Sequence, residues 1–276
     1  MNPLRRLTYR RELVTLAQFL HVSENLKKWY YRSTVAPDGI VRVKLGGLDT
    51  RFYARTPGEL RLLEMCFCEE ERILRLLISR VRAGNVVYDI GSNVGQFTIP
   101  LAKGVGKDGQ VISFEPELGN FERLQANVSL NSLDNVRMFR KALGNRSGEG
   151  TLYSHGLVSN LQQQRGDDSG QQVVEVVTGD TFQRAENSPQ PQVIKIDVEG
   201  YEYAVLQGLR NTLAHPACEL VICEIHPMFL PAEAGPEAIF SFLQSVGFTR
   251  ISSCPYPQKR CFHLIAYKEG SGYAVS

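Results

Sequence analysis

Four ionisable residues near the ends of two apolar runs carry the first chemical signal. In Val193-Ile194-Lys195-Ile196-Asp197-Val198-Glu199-Gly200-Tyr201-Glu202, alternation along a strand puts Val193, Lys195 and Asp197 on one face. A lysine inside an apolar strand is costly to bury unless paired, and Asp197 is its nearest candidate partner. In Leu220-Val221-Ile222-Cys223-Glu224-Ile225-His226, Glu224 and His226 likewise share a face at the carboxyl end. If these strands are neighbours, their rim gathers Lys195, Asp197, Glu224 and His226, a set able to do acid–base work. The alternative is a structural ion-pair network beneath a ligand. Glu199 and Glu202 fall at the strand exit and the next helix start, where the helix dipole favours anions.

A ligand loop is expected at Val86-Val87-Tyr88-Asp89-Ile90-Gly91-Ser92-Asn93-Val94-Gly95. An apolar run ends in an acid, a glycine turn and a helix start. Gly91 and Gly95 are expected to let backbone approach a ligand closely. A phosphate-cradling Walker loop fails, because Gln96 and Phe97 follow Gly95 where Lys and Ser or Thr belong. A dinucleotide fingerprint fails too, because Asn93 stands in place of its second glycine. What remains is D-x-G-x-x-x-G, the pattern of loops that hold S-adenosylmethionine. Glu115 lies 24 positions after Gly91, at the end of the next apolar run and before Pro116. An acid about 20 residues past a glycine loop, at the second strand tip, accepts hydrogen bonds from ribose hydroxyls. Pro116 cannot donate to a sheet ladder, which fits a strand end.

These residues need a frame of alternating strands and helices. Strands are expected at 86–90, 110–115, 135–140, 193–197 and 219–225, with helices at 94–103, 118–131, 201–213 and 235–246. Residues 248–254 and 261–268 read as a closing antiparallel hairpin. Such units imply an α/β fold with a mostly parallel sheet covered on both faces. Thr151–Tyr153 and Val173–Val177 read as extra short strands, and the polar, glutamine-rich stretch 155–171 as a loop. Residues 1–58 are expected to form an extension, and 59–276 the ligand-binding domain. In the extension, 4–31 has leucines at helical spacing among arginines and lysines. That helix is expected to pack on the main domain with a charged outer face; contact with an anionic membrane surface is the alternative. A hairpin follows around Gly46-Gly47, then one helix over 59–82.

The 276-residue chain carries a net charge of +2, too modest for a strongly nucleic-acid-binding surface. Six cysteines show no C-x-x-C spacing and read as reduced thiols of a cytoplasmic protein, with Cys254 and Cys261 able to face each other across the last hairpin. No secretory leader and no membrane-length apolar run is read. Oligomeric state is left open.

The chain resembles the FkbM-type S-adenosylmethionine-dependent methyltransferases. The matching stretches are Val87–Gly95, Phe114-Glu115-Pro116, Ala142-Leu143-Gly144, Ile194–Glu202 and Glu224-Ile225-His226. The Lys-Ile-Asp-Val-Glu-Gly run is the most specific of them. The resemblance implies a Rossmann-like class I fold with a seven-stranded sheet, and methylation of a hydroxyl on a sugar or other small metabolite. It implies that Asp89, Gly91, Asn93 and Gly95 hold the methionine end of the cofactor. Glu115, with Pro116 beside it, takes the ribose, and Lys141 and Ala142 flank the adenine. Asp197 counts both with the cofactor's residues and with the acid–base rim.

The donor's sulfonium carbon is already electrophilic, so the protein's tasks are alignment and removal of the acceptor's proton. His226 is the expected base, as a neutral imidazole near pH 7, with Asp197 or Glu224 orienting it and Lys195 completing the rim. A metal held by Asp197, Glu224 and His226 is the lesser alternative, and none is expected. The expected partner is a small hydroxylated acceptor and not nucleic acid. Rival readings are a cofactor-binding scaffold without catalysis, an N-methyltransferase and an RNA methyltransferase.

Overall fold

The computed structural model describes residues 35, 37–155, 158–161, 170–231, 234–255 and 261–270. The helix expected over 4–31 lies outside the described residues.

Seven strands form the main sheet: β3 (Val86–Ile90), β4 (Gln110–Phe114), β5 (Val136–Phe139), β10 (Val193–Ile196), β11 (Leu220–Ile225), β12 (Phe248–Pro255) and β13 (Phe262–Lys268). Their order is β12-β13-β11-β10-β3-β4-β5. β3, β4, β5, β10 and β11 run parallel, while β13 is antiparallel to both β11 and β12. The expected mostly parallel sheet with an antiparallel C-terminal hairpin is therefore present. Strand order reverses between β3 and β10, and open α/β sheets bind ligands outside the carboxyl ends at such a point.

Alternation assigns the two faces. Val87, Val111, Val193 and Ile222 pack against α2 (Glu71–Arg80) and α3 (Thr98–Val105). Tyr88, Ile112, Ile194 and Val221 pack on the other face, with Phe182, Val205, Leu206, Leu213 and Ile239. Those five belong to α5 (Gly179–Ala185), α6 (Glu202–Gly208), α7 (Arg210–Ala214) and α8 (Pro236–Ser245).

Several boundaries differ from the sequence reading, each for a local reason. The helix expected at 94 begins at Thr98, because Gly91, Asn93 and Gly95 have φ of 78°, 49° and 93°, outside helical geometry. The helix expected over 59–82 is broken into α1 (Pro57–Glu64), a π-helical turn (Met65–Glu69) and α2. Thr56 and Glu59 start α1 with a reciprocal capping box. The helix over 201–213 splits into α6 and α7. Asp180, in the unforeseen α5, accepts from Asn211 N and Thr212 N at 2.9 Å each and so caps α7.

A second sheet, β6 (Ala142–Leu143), β7 (Gly148–His155), β8 (Val158–Asn160) and β9 (Gln171–Val177), runs in the order β6-β9-β7-β8. It absorbs the two extra strands, and β8 lies within the stretch read as a loop. The hairpin β1 (Ile40–Leu45) and β2 (Leu48–Tyr53) packs on α4 (Leu118–Leu130), burying Phe52. Asn127 Oδ1 accepts from Tyr53 N at 2.8 Å, and Asn131 Oδ1 from Arg51 N at 3.0 Å. The hairpin thus shares a core with α1, α3 and α4.

Candidate active site

A cavity of about 400 Å³ opens at the carboxyl ends of the central strands, within the range of small-molecule sites. Gly91, Asn93, Glu115, Pro116, Lys141, Ala142, Lys195, Asp197, Glu224 and His226 line it. Ten of the twelve residues singled out from the sequence therefore converge on one space. Asp89 and Gly95 do not reach it.

Those two act from below. Asp89 is fully buried, and its Oδ2 accepts from Thr98 Oγ1 at 2.5 Å. Lys195 is its direct cross-strand partner, with Nζ 3.5 Å from Asp89 Oδ1 and 3.5 Å from Asp197 Oδ2. Lys195 Nζ also donates to the Gly91 carbonyl at 3.0 Å. Burial works against the charge on Lys195, but Asp197 and Asp89 outweigh it and raise its pKa. The pair is a buried brace under the loop.

The glycines prove to accommodate protein. A Cβ on Gly91 would stand 1.7 Å from the Asp197 carbonyl oxygen, and one on Gly95 2.8 Å from Leu124 Cδ1. Asn93 adopts a left-handed φ, and its N–H donates to Glu115 Oε2 at 2.8 Å. Glu117 N–H donates to Glu115 Oε1 at 2.9 Å. Burial raises the Glu115 pKa to about 7, against the pull of these two bonds. The strand-tip acid is thereby fixed in place while still lining the cavity.

The cavity suits a bound nucleoside with an amino-acid tail. Glu115 offers acceptors, Phe114, Leu143, Leu152 and Leu161 supply apolar wall, and Gly91, Asn93 and Gln96 line the loop side. Ala142 is in β6, and Lys141 is paired to Glu175 Oε1 at 2.5 Å.

The opposite end of the cavity is charged. In the register of β10 on β11, Lys195 faces Ile222, and Asp197 and Glu224 continue the same row. His226 Nδ1 lies 2.7 Å from Oε1 of Glu202, which is fully buried, and Nε2 lies 3.5 Å from Glu199 Oε2 and 3.7 Å from Glu224 Oε1. Burial lowers the ring's pKa, but the Glu202 hydrogen bond and the charges of Glu199 and Asp197 prevail and raise it to about 10. The neutral imidazole expected near pH 7 is thus an imidazolium in this site. Burial and the Asp197 charge raise the Glu224 pKa to about 8.

Sequence reasoning left out Glu199, Glu202, Cys261 and His263 as site residues. Glu199 holds φ 51°, unusual for a side chain of its kind, and lines the cavity beside Gly200. Cys261 Sγ donates to Glu224 Oε1 at 3.1 Å, and His263 Nε2 lies 3.6 Å from Glu224 Oε2. β13 brings both to β11, and Cys254 has His263 as its cross-strand partner instead of Cys261. None of the five described cysteines is in a disulfide. No helix among the described residues is long and apolar enough to cross a membrane.

Sheet order, reversal point and cavity define an α/β fold of the class that opens its ligand pocket at the strand tips. A profile of the methyltransferase FkbM domain matches residues 89–249. The chain belongs to the FkbM methyltransferase family and is an S-adenosylmethionine-dependent methyltransferase. It is 27% identical to the hexuronic acid methyltransferase AglP of Haloferax volcanii over 201 residues, covering 73% of this chain and 80% of that protein. It is 25% identical to the 23S rRNA (uracil(1939)-C(5))-methyltransferase RlmD of Acinetobacter baylyi over 128 residues, 42% of this chain and 28% of that one. A SAM-dependent methyltransferase structure from Aquifex aeolicus is 15% identical with a TM-score of 0.44, covering 76% of this chain and 97% of that chain.

Proposed function

We propose that the protein transfers a methyl group to a hydroxyl oxygen of a sugar or similar small hydroxylated metabolite. The observation that carries this reading is the convergence of Asp197, Glu199, Glu224 and His226 on the same cavity as Glu115. The similarity to a hexuronic acid methyltransferase supports a sugar acceptor. The modest charge of +2 and the acidic rim favour a small molecule over a phosphate backbone.

When bound, S-adenosylmethionine supplies a methyl carbon already activated by its sulfonium. Glu115 would accept hydrogen bonds from the ribose hydroxyls, and Gly91 and Asn93 would hold the amino-acid end. Lys141 and Ala142 would border the base. Asp89 and Lys195 keep the loop in place from beneath.

Asp197 is the base for the acceptor hydroxyl. Its side chain is 25% exposed and lines the cavity, whereas that of His226 is 9% exposed with a carboxylate beside each ring nitrogen. An aliphatic hydroxyl resembles water, whose pKa is about 15.7, so its proton leaves as the oxygen attacks and not before. As the acceptor oxygen attacks, an Asp197 carboxylate oxygen would take its proton.

The test is a product assay with donor labelled in its methyl group and a panel of hexoses, uronic acids, glycosylated lipids and structured RNA. Label on a sugar oxygen is expected. Label on RNA alone, or uptake of the donor with no turnover on any acceptor, overturns the reading.

A further inference from the structure

The cavity wall at the end of β11 holds a group of side chains that methyl transfer as described leaves unused. Glu224 and His226 leave β11, and Cys261 precedes β13, its antiparallel neighbour. One ligand atom from each of the three lies within 4.8 Å of the other two, and all three residues are buried. We propose that Glu224, His226 and Cys261 form a three-ligand site for a zinc-class divalent cation, with a fourth position open to the cavity.

Two of the three ligand–ligand distances lie close to those of a tetrahedron. Bonds of about 2.0–2.3 Å to nitrogen, oxygen and sulfur give ligand–ligand edges of roughly 3.3–3.7 Å. Glu224 Oε1 stands 3.1 Å from Cys261 Sγ and 3.7 Å from His226 Nε2. The shorter edge is the thiol's own hydrogen bond to the carboxylate, so a proton now holds the place of the cation. Binding would release that proton and the one on His226 Nε2, leaving a thiolate and a neutral imidazole.

A second feature is independent of the three ligands. Glu202 is fully buried, belongs to α6, and sits 2.7 Å from His226 Nδ1. Its Oε1 also accepts from Gly200 N at 2.8 Å, which fixes the carboxylate. With Nδ1–H committed to Glu202, Nε2 is turned toward Glu224, where losing its proton to an incoming cation would leave the ligating lone pair. A carboxylate behind a histidine in this way is the usual support of a ligating imidazole. His263 Nε2, 3.6 Å from Glu224 Oε2, steadies the other carboxylate oxygen.

The donor chemistry selects the cation. Thiolate, imidazole and one carboxylate suit zinc, and three protein ligands with an open fourth position mark a catalytic site. Asp197, Glu199 and His226 form a second, more exposed group with harder donors that would favour magnesium or manganese. Both groups need the same imidazole, and the buried thiol with its oriented histidine favours the first. The cation's task rests on the methyl-transfer reading: at the fourth position it would hold the acceptor oxygen and lower its pKa. Its binding does not rest on that reading.

The experiment uses the full chain, stripped with a chelator and titrated with Co²⁺, then competed with Zn²⁺. One equivalent of Co²⁺ is expected, with a thiolate-to-cobalt charge-transfer band in the near ultraviolet and strong visible bands of a tetrahedral site. C261S and C261A, each checked for folding by circular dichroism, should lose the charge-transfer band. E202Q should keep the band and weaken Co²⁺ about 10- to 100-fold. S-adenosylhomocysteine binding is followed in parallel by calorimetry. If the folded protein binds S-adenosylhomocysteine but shows no thiolate band, the metal site is overturned while the methyltransferase stands. If tight Mn²⁺ binding persists in C261S with no thiolate band in wild type, the site is likewise overturned. A thiolate band without S-adenosylhomocysteine uptake upholds the site and counts against the methyl-transfer reading.

Discussion

The two ends of the cavity are held by different physics. At the tips of β3 and β4, backbone does most of the work. Gly91, Asn93 and Gly95 take left-handed φ, and the carboxylate of Glu115 is pinned by two N–H donors. At the tips of β10 and β11, side-chain charges hold one another: Lys195 between Asp89 and Asp197, and His226 among Glu199, Glu202 and Glu224. The first end is preorganised for a ligand of fixed shape. The second is tuned by whatever charge or proton enters it. A transferase with a constant donor and a particular acceptor needs this division, since binding and proton removal then fail separately.

The sharpest way to separate the ends is Asp197→Asn. Turnover should fall about 10²- to 10⁴-fold, the usual contribution of a positioned base, with S-adenosylhomocysteine affinity changed less than about threefold. Steady-state rates with labelled donor, set beside calorimetry, measure both. A matching loss of affinity would mean that the two ends are not distinct.

The backbone end should break through its glycines. Gly91→Ala must place a Cβ 1.7 Å from the Asp197 carbonyl at φ 78° and should cost about 3 kcal/mol or more of folding stability. Gly47→Ala, also at positive φ but with nothing within 4 Å of the new Cβ, should cost about 1 kcal/mol. Urea unfolding of the two variants tests the contrast, and equal midpoints would remove the steric account of Gly91.

What the sequence could and could not reveal follows the same division. Alternation within one segment is local, so Asp197 with Lys195, and Glu224 with His226, were legible as strand-end pairs. So was Glu115, whose role depends on its place at one strand tip. Contacts across the sheet were not. Asp89 and Lys195 are direct partners although they stand 106 positions apart in the chain. Gly91 and Gly95 were visible as necessary glycines, but the atoms that require them belong to Asp197 and Leu124. Cys261 and His263 join the site only because β13 turns back along β11. The π-helical turn brings Met65 and Cys66 to the cavity through a break that periodicity reads as continuous helix.

A smaller effect is expected for Glu115→Ala. Losing a buried carboxylate acceptor costs about 1–3 kcal/mol, so S-adenosylhomocysteine affinity should fall about 10- to 100-fold. Turnover at saturating donor should change far less than in D197N. Unchanged affinity by calorimetry would remove Glu115 from the ribose.

The finest test is the pH dependence of that same contact. Burial lifts the Glu115 pKa from 4.5 to about 7 in the ligand-free protein. Its contribution to folding stability is therefore fully present below about pH 4.5 and lost as pH rises through about 7. Ligand binding has the opposite sign. Ribose hydroxyls donate to the ionised carboxylate, so affinity should rise with pH up to about 7 and then level off. Below that point binding must expel a proton, and affinity should drop by up to about tenfold per pH unit. Titrations of S-adenosylhomocysteine in two buffers of different ionisation enthalpy should show proton release below about pH 7 and little above it. Glu115→Gln should abolish this pH dependence, because the amide cannot titrate. If the wild-type profile is flat, or if it persists in the glutamine variant, the titrating group is another one, and the backbone end of the cavity does not owe its grip on the nucleoside to Glu115.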